Sequence, residues 1–248
     1  SSTGLGFAVA RDLAGRGANV LSVTRSEQRV AAAVGAIQEN GGAAEGCAAD
    51  FTDPDAPRRV VDRARELYGT PDIVVANGGG PPGMPATAAT AEDLAAACDL
   101  LLLPVQRFAE LTLPAMRASG WGRFVAITSI AVREPLPGLV LSNALRAAVT
   151  GYLKSVSDEV ASDGVTVNTV CPGFTGTDRL GVLAANVAER DGVSVDEVFA
   201  GWAAQAPVRR LLRPEEVAAA VGFLCSAAAS GITGVALPVD GGLGRSVI

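Results

Sequence analysis

Short apolar runs rich in β-branched residues recur along the chain, separated by longer alanine-rich amphipathic stretches. The runs NVLSV, AEGCAA, DIVVA, RFVAIT, VTVNTV and GVALPV have the length and composition of strands. Between them the pattern predicts helices over residues 7–15, 26–39, 54–68, 91–119, 143–161 and 214–228. Residues 177–206 also read as helical but stand outside this alternation. Strand and helix in turn imply a parallel sheet with crossover helices covering both faces. Right-handed crossovers then leave a doubly wound sheet, whose ligand crevice lies at the carboxyl ends of the strands. The residues just after each strand are therefore the ones to read for function.

One element of this pattern is missing at the start. SSTGLGFAVARDLAGRGANV reads as the end of a glycine-rich turn, a helix and then a strand, with no strand before the turn. A doubly wound sheet carries one there, and that first strand is expected to belong to the protein. The 248 residues, 49% hydrophobic and 19% charged, otherwise suit one undivided α/β domain over residues 1–248. No repeat, low-complexity segment or linker interrupts them, and GGGPPG at residues 78–83 is a loop after a strand.

Composition removes several function classes. A net charge of −6 with scattered basic residues gives no nucleic-acid signature. The chain has no histidine, and Cys47, Cys98, Cys171 and Cys225 lie far apart, so zinc sites and Cys/His or Ser/His couples are not expected. Buried, reduced thiols and no visible secretory signal point to a cytoplasmic protein. Residues 217–239 carry no charge, but Ser226, Ser230, Gly231, Thr233 and Gly234 divide them into a helix and a buried strand, so no membrane association is expected.

The strand ends supply candidate chemistry. Gly4 and Gly6, with Ser2 and Thr3, open the first helix and would let backbone N–H groups approach a pyrophosphate; a bland helix-entry turn has the same composition. After NVLSV stand Thr24 and Arg25, where an acid would bind both ribose hydroxyls of NAD(H). An arginine suits a 2′-phosphate instead, which favours NADP(H) over NAD(H). Asp50 follows the next strand and is placed to accept from an adenine amino group, or else it or Asp53 caps a helix.

Taken together, STGLGFAVA, CAADF, VANGGG, RFVAITSIAV, VTVNTVCPGFTGT and LRPEEVAAAVGFLCSAAASGITGVALPVDGG resemble, in order, the segments of the short-chain dehydrogenase/reductases, closest to the 3-oxoacyl-carrier-protein reductase type. The resemblance covers essentially the whole chain and implies a Rossmann-like fold. It implies cofactor contacts at Phe51, Asn77, Gly78, Pro172, Gly173 and Thr177, a catalytic Ser129, and a homotetramer or homodimer formed through the long helices at residues 91–119 and 143–161. It also exposes departures. The family tyrosine, thirteen residues after the serine, falls on Ser142; the lysine four residues later falls on Arg146; the asparagine falls on Leu101. GGGPPG and SNALR are similar to an atypical reductase-like subgroup without the standard tetrad.

These losses bear on mechanism. The family acid is a phenol of pKa near 10 made more acidic by a neighbouring cation, whereas an aliphatic hydroxyl at Ser142 is far weaker. Arg146 keeps a charge that could hold the nicotinamide ribose, but it does not relay protons. No other residue is placed to substitute: Tyr152 and Tyr68 read as packing and Lys154 as a surface charge. Three functions follow: an NADP(H)-dependent oxidoreductase acting on a carbonyl or hydroxyl, a non-redox lyase, dehydratase or isomerase using Ser129, Ser142 and Arg146, or an inactive nucleotide binder. Residues 177–206, with Leu183, Val187, Phe199 and Trp202, are expected to form an apolar lid for a small molecule with a hydrophobic portion.

Overall fold

The computed structural model describes residues 4–246. Its strands are β1 (Val20–Thr24), β2 (Ala44–Ala48), β3 (Ile73–Ala76), β4 (Gly122–Ile127), β5 (Val165–Pro172) and β6 (Ala236–Val239). Its helices are α1 (Gly4–Gly15), α2 (Glu27–Gln38), α3 (Ala56–Tyr68), α4 (Ala91–Leu101), α5 (Leu103–Ser119), α6 (Val140–Val160), α7 (Asp178–Asp191), α8 (Val195–Gln205) and α9 (Pro214–Leu224). All strand pairs are parallel, as the alternation requires.

β4 and β5 are buried along their whole length at the centre of the order β3-β4-β5-β6. Because successive strand residues face opposite ways, β4 feeds two separate cores. Phe124 and Ala126 pack with Met116 of α5 and Leu153 of α6, while Val125 and Ile127 pack with Leu13 of α1 and Val221 of α9. Helices therefore cover both faces.

β1 and β2 form their own two-stranded sheet. Between β1 and β3 runs a cavity of about 520 Å³, lined along its length by Val20, Leu21 and Val23 on one side and by Ile73, Val74 and Val75 on the other. This slot lies where the expected first strand would run, so the cavity is a gap in the sheet and not a substrate pocket, although its upper end opens at Asn77, Thr128 and Arg146.

Several boundaries differ from expectation. The helix expected over residues 91–119 breaks at Leu102, because Pro104 sits in the first turn of α5, where its missing N–H costs nothing. α1 begins at Gly4, three residues early, with Gly4 at φ +58°. Neither Asp50 nor Asp53 caps α3, whose N-cap is Asp55. Asp50 accepts from Thr52 N and Oγ1, and Asp53 accepts from Asp55 N and holds Arg59. Cys171 and Cys225 are buried, whereas Cys47 and Cys98 are only partly so; all four are free. The uncharged stretch divides into α9, a 3-10 turn and β6, and no described helix is long and apolar enough to cross a membrane.

α9 starts with Pro214 and a Glu216 carboxylate that accepts from Arg213 N at 2.8 Å and takes both Arg210 Nη atoms at 2.7 Å. The Arg210 bonds and the backbone bond hold its pKa down at about 2. A depressed folded-state pKa means that this contribution is complete above the usual glutamate range and is lost as pH falls towards about 2. Glu216→Gln should cost about 1 kcal/mol at pH 7, or about 2–4 °C in Tm, with the difference from wild type fading in acid. Paired melting curves between pH 7 and pH 2 check this.

Candidate active site

The ends of β1 to β5, the starts of α1 and α7 and one face of α6 supply the expected site residues that the structure describes. Ser142 and Arg146 lie one turn apart on α6, on the same face. Arg146 Nε donates to Ser142 Oγ at 3.1 Å, its Nη1 donates to the carbonyls of Ile127 and Thr128 at 3.1 Å each, and its Nη2 donates to the carbonyl of Gly79 at 3.0 Å. One guanidinium thus ties α6 to the end of β4 and to the glycine loop after β3. Burial, with the like charge of Arg179 adding to it, pushes Arg146 down to about 10, so it is still a cation at neutral pH.

Ser129 follows Thr128 at this strand end. Its Oγ accepts from Ala131 N at 3.1 Å and caps the 3-10 turn Ile130–Val132, the backbone role open to any strand-end serine. Neither the Ser129 nor the Ser142 hydroxyl donates to a described residue, so both protons are available to a ligand. Leu101, in contrast, is 5% exposed among Ala97, Leu141 and Leu145, and offers the crevice no polar group.

Gly4 opens α1, whose first turn holds no acid, and a Cβ there would lie 3.3 Å from Thr177 Cγ2. The glycine turn and Thr177, the N-cap of α7, therefore face each other closely. Gly6 is buried in α1; Ser2 and Thr3 lie outside the described residues. Asn77 and Gly78 are exposed after β3, with Gly78 in ordinary contact with Leu101. Pro172 is buried at the end of β5, and Gly173 fits only without a side chain, since a Cβ would come within 2.9 Å of Asp240 Cα.

Arg25 stands exposed after β1 and makes no ion pair with a described residue. Asp50 is close enough to feel its charge, although the bonds from Thr52 do most to lower its pKa. Phe51 packs edge-on against Phe108 at 5.1 Å. Arg179, in the first turn of α7, was not among the expected residues; its guanidinium lies over Gly80 and its Nη1 donates to the Gly80 carbonyl at 3.4 Å. A signal existed, because a cation at a helix start opposes the helix dipole. Trp202, within residues 177–206, stacks on Phe174 just before them at 4.9 Å and 3°, and Phe199 meets Trp202 edge-on. No group of three metal-ligating side chains occurs among the described residues.

Residues 1–244 match the family model described as Enoyl-(Acyl carrier protein) reductase. Dehydrogenase/reductase SDR family member 4 of Bos taurus is 32% identical over 246 residues, 98% of this chain and 84% of the relative. The chain belongs to the short-chain dehydrogenase/reductase family. Within that family, 3-oxoacyl-(acyl carrier protein) reductase FabG of Escherichia coli K12 is 34% identical, covering 98% of this chain and 94% of the relative. Two solved structures share the fold throughout. L-sorbose reductase from Gluconobacter frateurii, complexed with NADPH and L-sorbose, superposes with TM-score 0.93 at 30% identity over 100% of this chain and 95% of that one. A variant of actinorhodin polyketide ketoreductase with NADPH gives 0.94 at 30% identity over 99% and 95%. The Rossmann-like α/β fold, expected from the alternation, is thereby established.

Proposed function

We propose that this short-chain dehydrogenase/reductase reduces a carbonyl group with NADPH, using Ser129, Ser142 and Arg146 where the family carries serine, tyrosine and lysine. The observation that carries the reading is the Arg146 guanidinium, which ties Ser142 to the end of β4, just before Ser129, and to the glycine loop after β3. The residues present fit the cofactor. Gly4, at positive φ and crowded by Thr177, leaves a cradle that a side chain would narrow, at a helix start free of acids. Thr177, Asn77, Gly78, Gly173 and the segment at Pro172 would hold the nicotinamide end, and Asp50 and Phe51 would border the adenine. Arg25 would take the 2′-phosphate, so NADP(H) is preferred to NAD(H).

When bound, NADPH supplies a hydride. The chain's own part is to orient the carbonyl and to stabilise the negative charge that develops on its oxygen. Ser129 and Ser142 donate hydrogen bonds to that oxygen, and Arg146, locked by three carbonyls, presents a fixed positive charge beside them. A serine hydroxyl is too weak an acid to be consumed as the proton source, so the proton reaches the product from water through Ser129 or Ser142. Residues 177–206 serve as the lid, with the Phe174, Phe199 and Trp202 cluster receiving an apolar part of the substrate. Four free cysteines, two of them buried, suit a cytoplasmic protein, and the family resemblance implies a homotetramer or homodimer.

A second reading, a lyase, dehydratase or isomerase using the same groups, is favoured by one observation: no described tyrosine reaches the crevice. Tyr152 packs in the apolar cluster under α6 and Tyr68 borders the far end of the slot. Calorimetric titration with NADPH and NADH separates these readings. NADPH should bind at least about tenfold more tightly than NADH, a gap of roughly 1.4 kcal/mol that Arg25→Ala should close. Binding of neither cofactor would refute the reductase reading and leave the non-redox one.

A further inference from the structure

The glycine loop after β3, the middle of α6 and the first turn of α7 bring two guanidinium groups together without a carboxylate. The groups acting electrostatically on Arg146 are Arg179 and the Cys171 thiol, with no acid among them. Arg179 forms no ion pair with a described residue, and its neighbour in sequence, Asp178, is exposed and unpaired to it. Other arginines do pair with acids, as in Arg16 with Asp12, Arg59 with Asp53 and Arg210 with Glu216.

Two like charges at one place, one of them at the positive end of a helix, are mutually unfavourable until an anion sits between them. The two arginines differ in what they have left to offer. Arg146 spends its N–H groups on Ser142, Ile127, Thr128 and Gly79, and acts as a fixed charge. Arg179 has only the long Nη1 bond to Gly80, so Nε and Nη2 are available as a planar fork that matches a carboxylate or phosphate. Gly80 permits this position, because a Cβ there would come within 2.6 Å of Arg179 Cζ.

We propose that Arg179, backed by the fixed charge of Arg146, binds an anionic group of the substrate, a carboxylate or a phosphate, and so selects acidic compounds for this crevice. The proposal rests on the crevice being the substrate site of the function proposed above. Arg179 is a specificity residue here: it holds the anion, while the reacting carbonyl lies at Ser129 and Ser142.

Calorimetric titration of the full chain at low ionic strength with benzoate, benzamide and inorganic phosphate, with and without saturating NADPH, reads the anion seat without turnover. Benzoate should bind about tenfold or more tighter than benzamide, the effect of one charge-assisted fork. Its affinity should fall by about tenfold in Arg179→Gln, and also in Gly80→Ala, which displaces the guanidinium while keeping its charge; Arg179→Lys should retain part of it. NADPH affinity should be unchanged in all three variants, and Tm should not fall in Arg179→Gln, which ends the like-charge repulsion with Arg146. Failure of both anions to bind at millimolar concentration, equal affinity for benzoate and benzamide, or benzoate binding unaltered by Arg179→Gln would overturn the proposal. So would loss of NADPH affinity in Arg179→Gln together with exclusion of benzoate by NADPH, which would assign the guanidinium to the cofactor's phosphates. A wild-type chain that binds benzoate in this pattern but no NADPH would refute the reductase reading and keep the anion seat.

Discussion

Placing a phenol in the crevice by Ser142→Tyr, together with Arg146→Lys, should raise the rate of NADPH-linked ketone reduction by about 10² to 10⁴, the usual contribution of a positioned general acid. The gain has a geometric basis. Position 142 is one turn before position 146 on the same face of α6, and Arg146 already bonds to Oγ there, so a lysine ammonium would stand beside the new phenol and lower its pKa. The ammonium keeps three donors, enough to bond the carbonyls of Ile127 and Thr128 that Arg146 now holds. Initial rates of NADPH oxidation with a panel of ketones, compared between wild type and the double variant, check the prediction. Retained cofactor binding with no gain would mean that position 142 does not face the reacting carbonyl.

Arg146→Met should be the most damaging single change in the crevice. It removes the donors to the carbonyls of Ile127, Thr128 and Gly79 at a partly buried site, and each stranded acceptor costs on the order of 1–3 kcal/mol, offset in part by the end of like-charge repulsion with Arg179. A net loss of about 3 kcal/mol corresponds to roughly 6–12 °C in Tm for a domain of this size. The glycine loop loses its anchor in the same step, so NADPH affinity should fall as well. Thermal melts and cofactor titrations of the one variant report both effects, and a Tm within about 1 °C of wild type would show that water replaces the guanidinium at all three carbonyls.

The fold was legible because its driving pattern is linear in the chain. Six β-branched runs became six parallel strands, and amphipathic spacing placed the helices around them. The break at Leu102 was not legible, since LLLLPVQRF continues the apolar pattern and Pro104 is as much at home in the first turn of a new helix as it is disruptive inside an old one. At the site, Ser129, Ser142 and Arg146 could be picked out by spacing, and Arg146 bonds Ser142 and the carbonyl of Thr128, next in sequence to Ser129. What Arg146 holds could not be read, because the carbonyls of Ile127, Thr128 and Gly79 leave no mark on side-chain identity. Arg179 went unnoticed for a similar reason: its approach to Arg146 depends on how α7 packs over a loop some hundred residues earlier in the chain.

The slot between β1 and β3 has a consequence for how the two ends of a dinucleotide would be spaced. Arg25 follows β1, while Ser129 follows β4, and among the described residues no backbone ladder connects the sheet of the first with the sheet of the second. They are held in relation by packing of α1 against α9 and of α3 against α5. The strand expected before the glycine-rich turn would bond both edges of the slot and so fix the distance between the phosphate end and the hydride end of a dinucleotide.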